Sequence, residues 1–225
     1  MLRMFFAAVA LTVLGACAVT SPQTYSGQFT RPAEHSRVLV MTPNVQLHVL
    51  SAAGIPEPRE DWSISGRDNL ASNIATFVQG HSHTPSALDP STAMEGHVGQ
   101  IIRLHDAVGG ALMSRALLPT QKDRFEWQLG DGVQELGTTY NADYALFVGA
   151  YGTYASAGRV AVAVGMAIVG IGVPLGNQVA YASLVDLHTG NIIWFNTAIA
   201  APGQDMRTPE GAQGLVGELM KGAPL

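Results

Sequence analysis

Cysteine and charge are both scarce in this chain, which has a single cysteine, Cys17, and only 13% charged residues. One cysteine cannot form a disulfide within the chain, so the fold has to be stabilised by packing. The hydrophobic share of 47% is enough for a core and excludes an intrinsically disordered protein. The 25 glycines follow no fixed period, which also excludes collagen-like and solenoid architectures.

Clusters of basic residues are missing as well. Lysine and arginine together number only 12, and the formal net charge is −5. Binding to nucleic acid, or attachment to anionic lipid by charge alone, requires a basic patch. The composition therefore predicts no nucleic-acid partner and no purely electrostatic membrane attachment.

The first residues are organised like a bacterial export signal. Arg3 precedes an apolar run of ten residues, Phe5 to Leu14. That run is about half of the ~20 residues needed to cross a bilayer, but it suits a signal peptide. Two small residues, Gly15 and Ala16, then lead directly to Cys17. Residues 1–16 are therefore predicted to be a signal peptide.

The sequence from Leu14 to Cys17 resembles the lipobox of bacterial lipoproteins. The resemblance implies that Cys17 becomes the mature N-terminus and carries acyl chains such as palmitate. Each buried methylene contributes about 0.8 kcal/mol, so two or three chains anchor a protein stably. Ala18 stands where aspartate commonly retains Gram-negative lipoproteins at the inner membrane, which implies the outer membrane, facing the periplasm. The alternative is an ordinary secretory signal with a chance cysteine.

Three further regions follow in the chain. Residues 17–36 are rich in Ser, Thr, Gln and Pro without hydrophobic periodicity, and they are predicted to form a flexible tether. Residues 37–205 are predicted to form one α/β periplasmic domain, and residues 206–225 a C-terminal helix or tail. The unbroken apolar run from Val38 to Met41 indicates a strand covered on both faces.

The spacing of apolar residues predicts the secondary structure of the domain. Helical periodicity predicts amphipathic helices at 62–79 and about 92–112. Strands at 144–151 and 179–187, with a turn and a return strand from Ile192, predict a hairpin. The predicted fold is α/β: a single mixed β-sheet with helices packed against it, a C-terminal β-hairpin and an apolar, glycine-rich insertion.

The insertion, Val160 to Val173, contains 14 uncharged residues. It is too short to span a membrane. Its alternation fits a strand, while the spacing of Val164, Ile168 and Ile171 fits a helix. A buried core element, contact with a partner and contact with lipid remain open. We expect a contact surface formed by these three residues, with an envelope protein or another copy of the chain as partner.

Two motifs resemble those of periplasm-facing lipoproteins with the fold of the TolB N-terminal domain and the curli-export lipoprotein. They are ADYALF, from Ala142 to Phe147, and ASLVDL followed by TGNIIW, ending at Trp194. The resemblance implies that fold over about residues 37–200 and an accessory role in envelope assembly. The glycine-rich insertion replaces the long pore strands of the curli-export type, so the resemblance does not extend to pore formation.

A metal-binding protein or hydrolase is the first alternative to a non-catalytic protein. Its candidate residues are His81, His83, His97 and His105, with Asp89 or Asp106. No HExxH, G-x-S-x-G or CxxC motif is present, so we expect no metal, cofactor or catalytic residue. We expect His81 and His83 in a solvated loop, and His105 in the core with a bond to a backbone carbonyl.

A binder of small ligands or peptidoglycan is the second alternative. It would use Trp62, Trp127 and Trp194 as stacking surfaces. Core packing is the more common task for each of these rings, because tryptophan contributes a large apolar surface. The leading interpretation is therefore a membrane-anchored, non-catalytic periplasmic lipoprotein that acts through protein contact or self-association.

Overall fold

The computed structural model describes residues 19, 20, 22–88, 95–114 and 124–225. Its strands are β1 (Val19–Thr20), β2 (Gln23–Thr24), β3 (Arg37–Val40), β4 (Asn44–Leu50), β5 (Pro56–Pro58), β6 (Thr84–Ala87), β7 (Tyr144–Ala155), β8 (Gln178–Asp186) and β9 (Ile192–Ile199). Its α-helices are α1 (Glu60–Gly80), α2 (Gly96–Met113), α3 (Gln134–Tyr140), α4 (Ala157–Ala167) and α5 (Pro209–Leu219). A short 3-10 helix, Asp131–Val133, precedes α3.

One mixed sheet connects all nine strands of the described residues. Its main order is β1-β9-β8-β7-β3-β6, and β4 pairs with β7 beyond the end of β3. β3 and β4 run parallel to β7, whereas β7, β8 and β9 are antiparallel neighbours. Pro43 lies between β3 and β4, where its missing amide hydrogen costs no ladder bond. The predicted α/β fold with a single mixed sheet and a C-terminal hairpin is confirmed.

The sheet is covered on both faces because its inner strands are apolar on both faces. Val38 and Val40 belong to the cluster formed with α1 and α5, while Leu39 and Met41 belong to the cluster formed with α2 and α3. The unbroken apolar run in the sequence therefore reflects burial on two sides. Trp194 of β9 is fully buried in the first cluster.

Part of the segment that follows the predicted anchor, within residues 19–36, pairs with the sheet. Val19 pairs with Ile199 at the end of β9, and the Tyr25 amide donates to the Ile193 carbonyl at 3.0 Å. Backbone hydrogen bonds hold this polar stretch on the sheet edge, and such bonds leave no hydrophobic periodicity in the sequence. Cys17 lies outside the described residues.

Candidate functional site

The insertion between β7 and β8 contains α4 and an irregular return, and none of residues 157–177 is buried. Exposed fractions are 62% for Val164, 83% for Ile168 and 49% for Ile171. The alternative of a buried core element is therefore wrong. The insertion is exposed because α4 lies past the ends of β4 and β7, where its first turn approaches the loop after β4. The helices that cover the two faces of the sheet do not cover α4.

The base of the insertion is fixed by hydrogen bonds. The Ser156 hydroxyl caps α4 by accepting from the Arg159 amide at 3.1 Å, and the Ser156 amide donates to the Leu50 carbonyl at 3.0 Å. Arg159 Nε donates to the Pro174 carbonyl at 3.1 Å and so joins the start of the insertion to its return. The apolar side chains are thus presented on a fixed element.

Replacing Gly176 with alanine is expected to lower the free energy of unfolding by about 1–3 kcal/mol. Gly176 has a φ of +113°, and a β-carbon there would overlap the carbonyl of Thr153, where the return meets β7. Urea denaturation measures the loss. Gly165→Ala is the matched control, because a β-carbon at Gly165 meets no atom within 4 Å and alanine favours the helix α4. Equal losses from both substitutions would contradict this explanation.

A buried polar network lies between α2 and the sheet. His105 Nε2 forms a hydrogen bond with the Ser183 hydroxyl, and the imidazole stacks on Phe147 with ring centroids 4.1 Å apart. His105 Nδ1 lies 4.0 Å from the Asp106 carboxylate, which in turn accepts from the side-chain amide of Asn44 at 3.0 Å. The predicted core position of His105 is confirmed, but its expected backbone partner is replaced by Ser183.

The Ser183, His105 and Asp106 combination has the residue types of a catalytic triad but not its accessibility. The exposed fractions of His105 and Ser183 are 1% and 0%. A nucleophile has to reach the substrate, and the described fold gives Ser183 no such access. Burial also lowers the pKa of His105, which keeps the imidazole neutral. The arrangement therefore satisfies polar groups in the core.

The free energy of unfolding is expected to fall as the pH drops below the pKa of an unfolded histidine, about 6.5. Because burial lowers the pKa of His105, the unfolded state then binds a proton that the folded state does not. The stability is fully present above this pH and is lost below it. The free energy of unfolding, measured by urea denaturation at several pH values below about 6.5, should depend less steeply on pH for His105→Gln than for the unmodified chain. An unchanged slope would contradict the prediction.

The other residues of the metal or hydrolase alternative lie apart. His81 bonds back to its own helix α1, and His97 Nε2 donates to the Gly132 carbonyl at 3.1 Å. His83 was expected in a solvated loop, but it is buried because β6 begins directly after it and joins the sheet. Asp89 lies outside the described residues. Within the described ranges, no group of three or more potential metal ligands occurs.

The tryptophans offer little stacking surface. Trp194 is fully buried, and Trp127 is half-buried beside the second cluster. Trp62 is also half-buried, and guanidinium groups of Arg59 and Arg207 lie 4.1 and 4.4 Å from its ring centroid. Core packing is confirmed for Trp194, and neighbouring arginines already contact Trp62.

A cavity of 340 Å³ lies beside α1 at the carboxyl ends of β3 and β6. This volume is near the lower end of small-ligand pockets, about 300–1,000 Å³. Its walls are mainly apolar, with Arg67, Asp68 and Gln79 as the longer polar side chains. The small-ligand alternative therefore has a candidate location but no cluster of groups that specifies a ligand.

Comparisons with known proteins add distant structural likenesses. No family model and no curated protein matches the chain. A substituted PelC dodecamer from Paraburkholderia phytofirmans is similar at 12% identity and a TM-score of 0.42, covering 92% of this chain and 97% of that chain. A second PelC dodecamer from that organism has 12% identity and a TM-score of 0.41, covering 92% and 96%. Lipoprotein GNA1162 from Neisseria meningitidis has 10% identity and a TM-score of 0.33, covering 73% and 81%.

These likenesses are too distant to assign a function. None of the three is described as a TolB-type or curli-export protein, so that resemblance stays a prediction. In the described part of the chain, no helix combines the length and apolar character required to cross a membrane.

Proposed function

We propose that this chain is a lipid-anchored, non-catalytic protein of the bacterial outer membrane, facing the periplasm and acting by contact as an envelope accessory protein. The observation that carries the proposal is the exposed insertion, where Val164, Ile168 and Ile171 all face solvent. Soluble monomers rarely leave a contiguous apolar patch of this kind uncovered. A contact surface is the function that such a patch serves best.

The placement of the polar side chains supports action by contact over catalysis. His105 and Ser183 are inaccessible, and His81 and His97 bond to nearby backbone carbonyls. General acid–base catalysis needs a titrating group beside a partner in an open cleft. The charged side chains that line the cavity beside α1 are Arg67 and Asp68, an adjacent ion pair at 3.8 Å, and no histidine is among the described lining residues.

The start of the fold supports anchoring through Cys17. Residues Leu14 to Cys17 have the lipobox pattern, and Val19 is already paired with β9. Acyl chains on Cys17 would hold the domain directly at the membrane surface. The insertion would then act where the anchor keeps it, at the bilayer or on neighbouring envelope proteins.

The sorting of an Ala18→Asp variant tests the proposal. In a Gram-negative host, the unmodified chain is expected in outer-membrane fractions of a density gradient. Ala18→Asp is expected to move it to inner-membrane fractions, because aspartate after the acylated cysteine retains such lipoproteins there. Ala18→Ser is the matched control and should remain with the unmodified chain. An Ala18→Asp protein that keeps the unmodified distribution would contradict anchoring through Cys17.

A further inference from the structure

The start of β1 and the insertion lie at the same edge of the sheet. Val19 pairs with Ile199, Ile199 with Val179, and Val179 with Tyr151, so the four residues form one row across β1, β9, β8 and β7. β7 continues past Tyr151 to Ala155 and there enters the insertion. Adjacent strands are about 4.8 Å apart, so about 14 Å separates Val19 from β7.

The strand directions place the start of β1 at this edge. β1 is antiparallel to β9, so Val19, the first residue of β1, lies level with the end of β9. β9 and β7 run in the same direction, because each is antiparallel to β8. Cys17 precedes Val19 by two residues, and a fully extended chain limits their separation to about 7 Å. Acyl chains on Cys17 would enter a membrane beside the insertion.

We use the term apolar edge for residues 51–55, residues 157–177 and Ile199. Outside α4 it exposes further large side chains, which are Ile55, Val169, Leu175 and Ile199. From residue 144 to residue 185 the only charged side chain is Arg159. The nearest charges in the loop after β9 are Asp205 and Arg207, which pair with each other at 2.7 Å.

The opposite edge of the sheet has the reverse character. Arg37 and Asp143 form an ion pair there at 2.9 Å, with Asp186 at the end of β8 and His188 in the turn that follows. The domain therefore has one mainly apolar and one charged edge, at opposite ends of its strands, and Glu57 of β5 is an exposed charge close to Ile55 at the apolar edge. This polarity suits a protein with one end at a membrane and the other in water.

The composition of α4 favours lipid over a protein partner. Its eleven residues are apolar or glycine on every side except for Arg159, whereas a helix that packs on a protein usually carries one apolar stripe. Its length of about 16 Å is roughly half of a hydrocarbon core of about 30 Å. Contact with acyl chains would therefore stay within one leaflet.

We propose that the apolar edge inserts into the same leaflet that holds the acyl chains of Cys17. This inference rests on the proposed function, because it takes Cys17 as the anchor. Ile168 and Ile171 enter the acyl-chain region, typically about 5–10 Å deep for such interfacial elements. Arg159, bonded to Pro174 at the base, marks the depth of the headgroups.

Two dye-labelled forms of the full chain test this inference. Ile168→Cys places an environment-sensitive nitrobenzoxadiazole dye on the insertion, and Thr139→Cys places it on an exposed residue of α3 at the opposite edge. Both proteins are reconstituted into phosphatidylethanolamine and phosphatidylglycerol vesicles containing phosphatidylcholine with acyl-chain spin labels. The dye at 168 is expected to show blue-shifted emission and quenching, and the dye at 139 to show neither.

Emission at 168 that matches the dye at 139 would overturn the inference. A combination of three results would also overturn it. The dye at 168 is not quenched by the lipid labels, the chain sediments as an oligomer, and Ile168→Ser with Ile171→Ser converts that oligomer to a monomer. This combination would identify another copy of the chain as the occupant.

The mass of the purified chain shows whether Cys17 is acylated. It therefore distinguishes a wrong assignment of the anchor from a wrong inference about the apolar edge. If Cys17 is acylated, the dye reacts only with the introduced cysteine. If Cys17 is unmodified, the anchor fails, and the same dye reading is repeated in a Cys17→Ser background. Quenching at 168 would then still support membrane contact, and water-like emission would still overturn it.

Discussion

A variant in which an ordinary cleavable secretory signal replaces residues 1–17 is exported as residues 18–225, without Cys17. This variant is expected mostly in the soluble periplasmic fraction. Acyl chains contribute about 0.8 kcal/mol per buried methylene, so two or three chains outweigh the few side chains of the apolar edge. The minor fraction that stays on the membrane should be lost when Ile168→Ser and Ile171→Ser are added. Immunoblots of separated membrane and soluble fractions measure both effects.

The control for these serine substitutions uses exposed apolar residues elsewhere. Ile64 on α1 and Leu104 on α2 are exposed but lie away from the apolar edge. Ile64→Ser with Leu104→Ser should leave the membrane-bound fraction unchanged. Complete retention of residues 18–225 on the membrane would contradict the dominant role of the lipid on Cys17.

Replacing Trp194 with alanine is expected to lower the free energy of unfolding by about 3–5 kcal/mol. Its side chain is fully buried in the cluster with α1 and α5, and the truncation would leave a cavity there. Domains are stable by only about 5–15 kcal/mol, so a loss of this size is large. Urea denaturation followed by circular dichroism measures it.

Trp62→Ala provides the comparison for this substitution. Trp62 is half-buried, and its ring contacts Arg59 and Arg207. Trp62→Ala should therefore lower the free energy of unfolding by only about 1–2 kcal/mol. Equal losses at Trp62 and Trp194 would contradict the assignment of Trp194 to the core and Trp62 to the surface.

Much of the fold could be predicted because its central strands carry local patterns. The apolar run from Val38 to Met41 and the strands on both sides of the His188 turn were predicted and are confirmed. The pairing of β1 and β2 with β9 could not be predicted, since it depends on backbone hydrogen bonds of a polar segment. In Val160–Val173, strand and helix spacing were both present, and the helix is observed as far as Ala167.

The candidate site could be predicted only in part from the sequence, because its arrangement depends on contacts between distant parts of the chain. The lipobox-like sequence at Cys17 and the apolar residues of the insertion are local features, and each could be singled out separately. The position of Val19 and the insertion at one edge depends on the register between Val19, Ile199 and Val179, which joins distant parts of the chain. The bond between His105 and Ser183 likewise joins residues 78 positions apart. No spacing rule connects such pairs before the strands are aligned.

Mass spectrometry of the N-terminal peptide of the membrane-extracted protein tests the central claim most directly. The account predicts a chain that begins at Cys17, with a diacylglyceryl group on the sulfur and an acyl group on the amine. An unmodified Cys17, whether inside a longer chain or after cleavage at another residue, would contradict it.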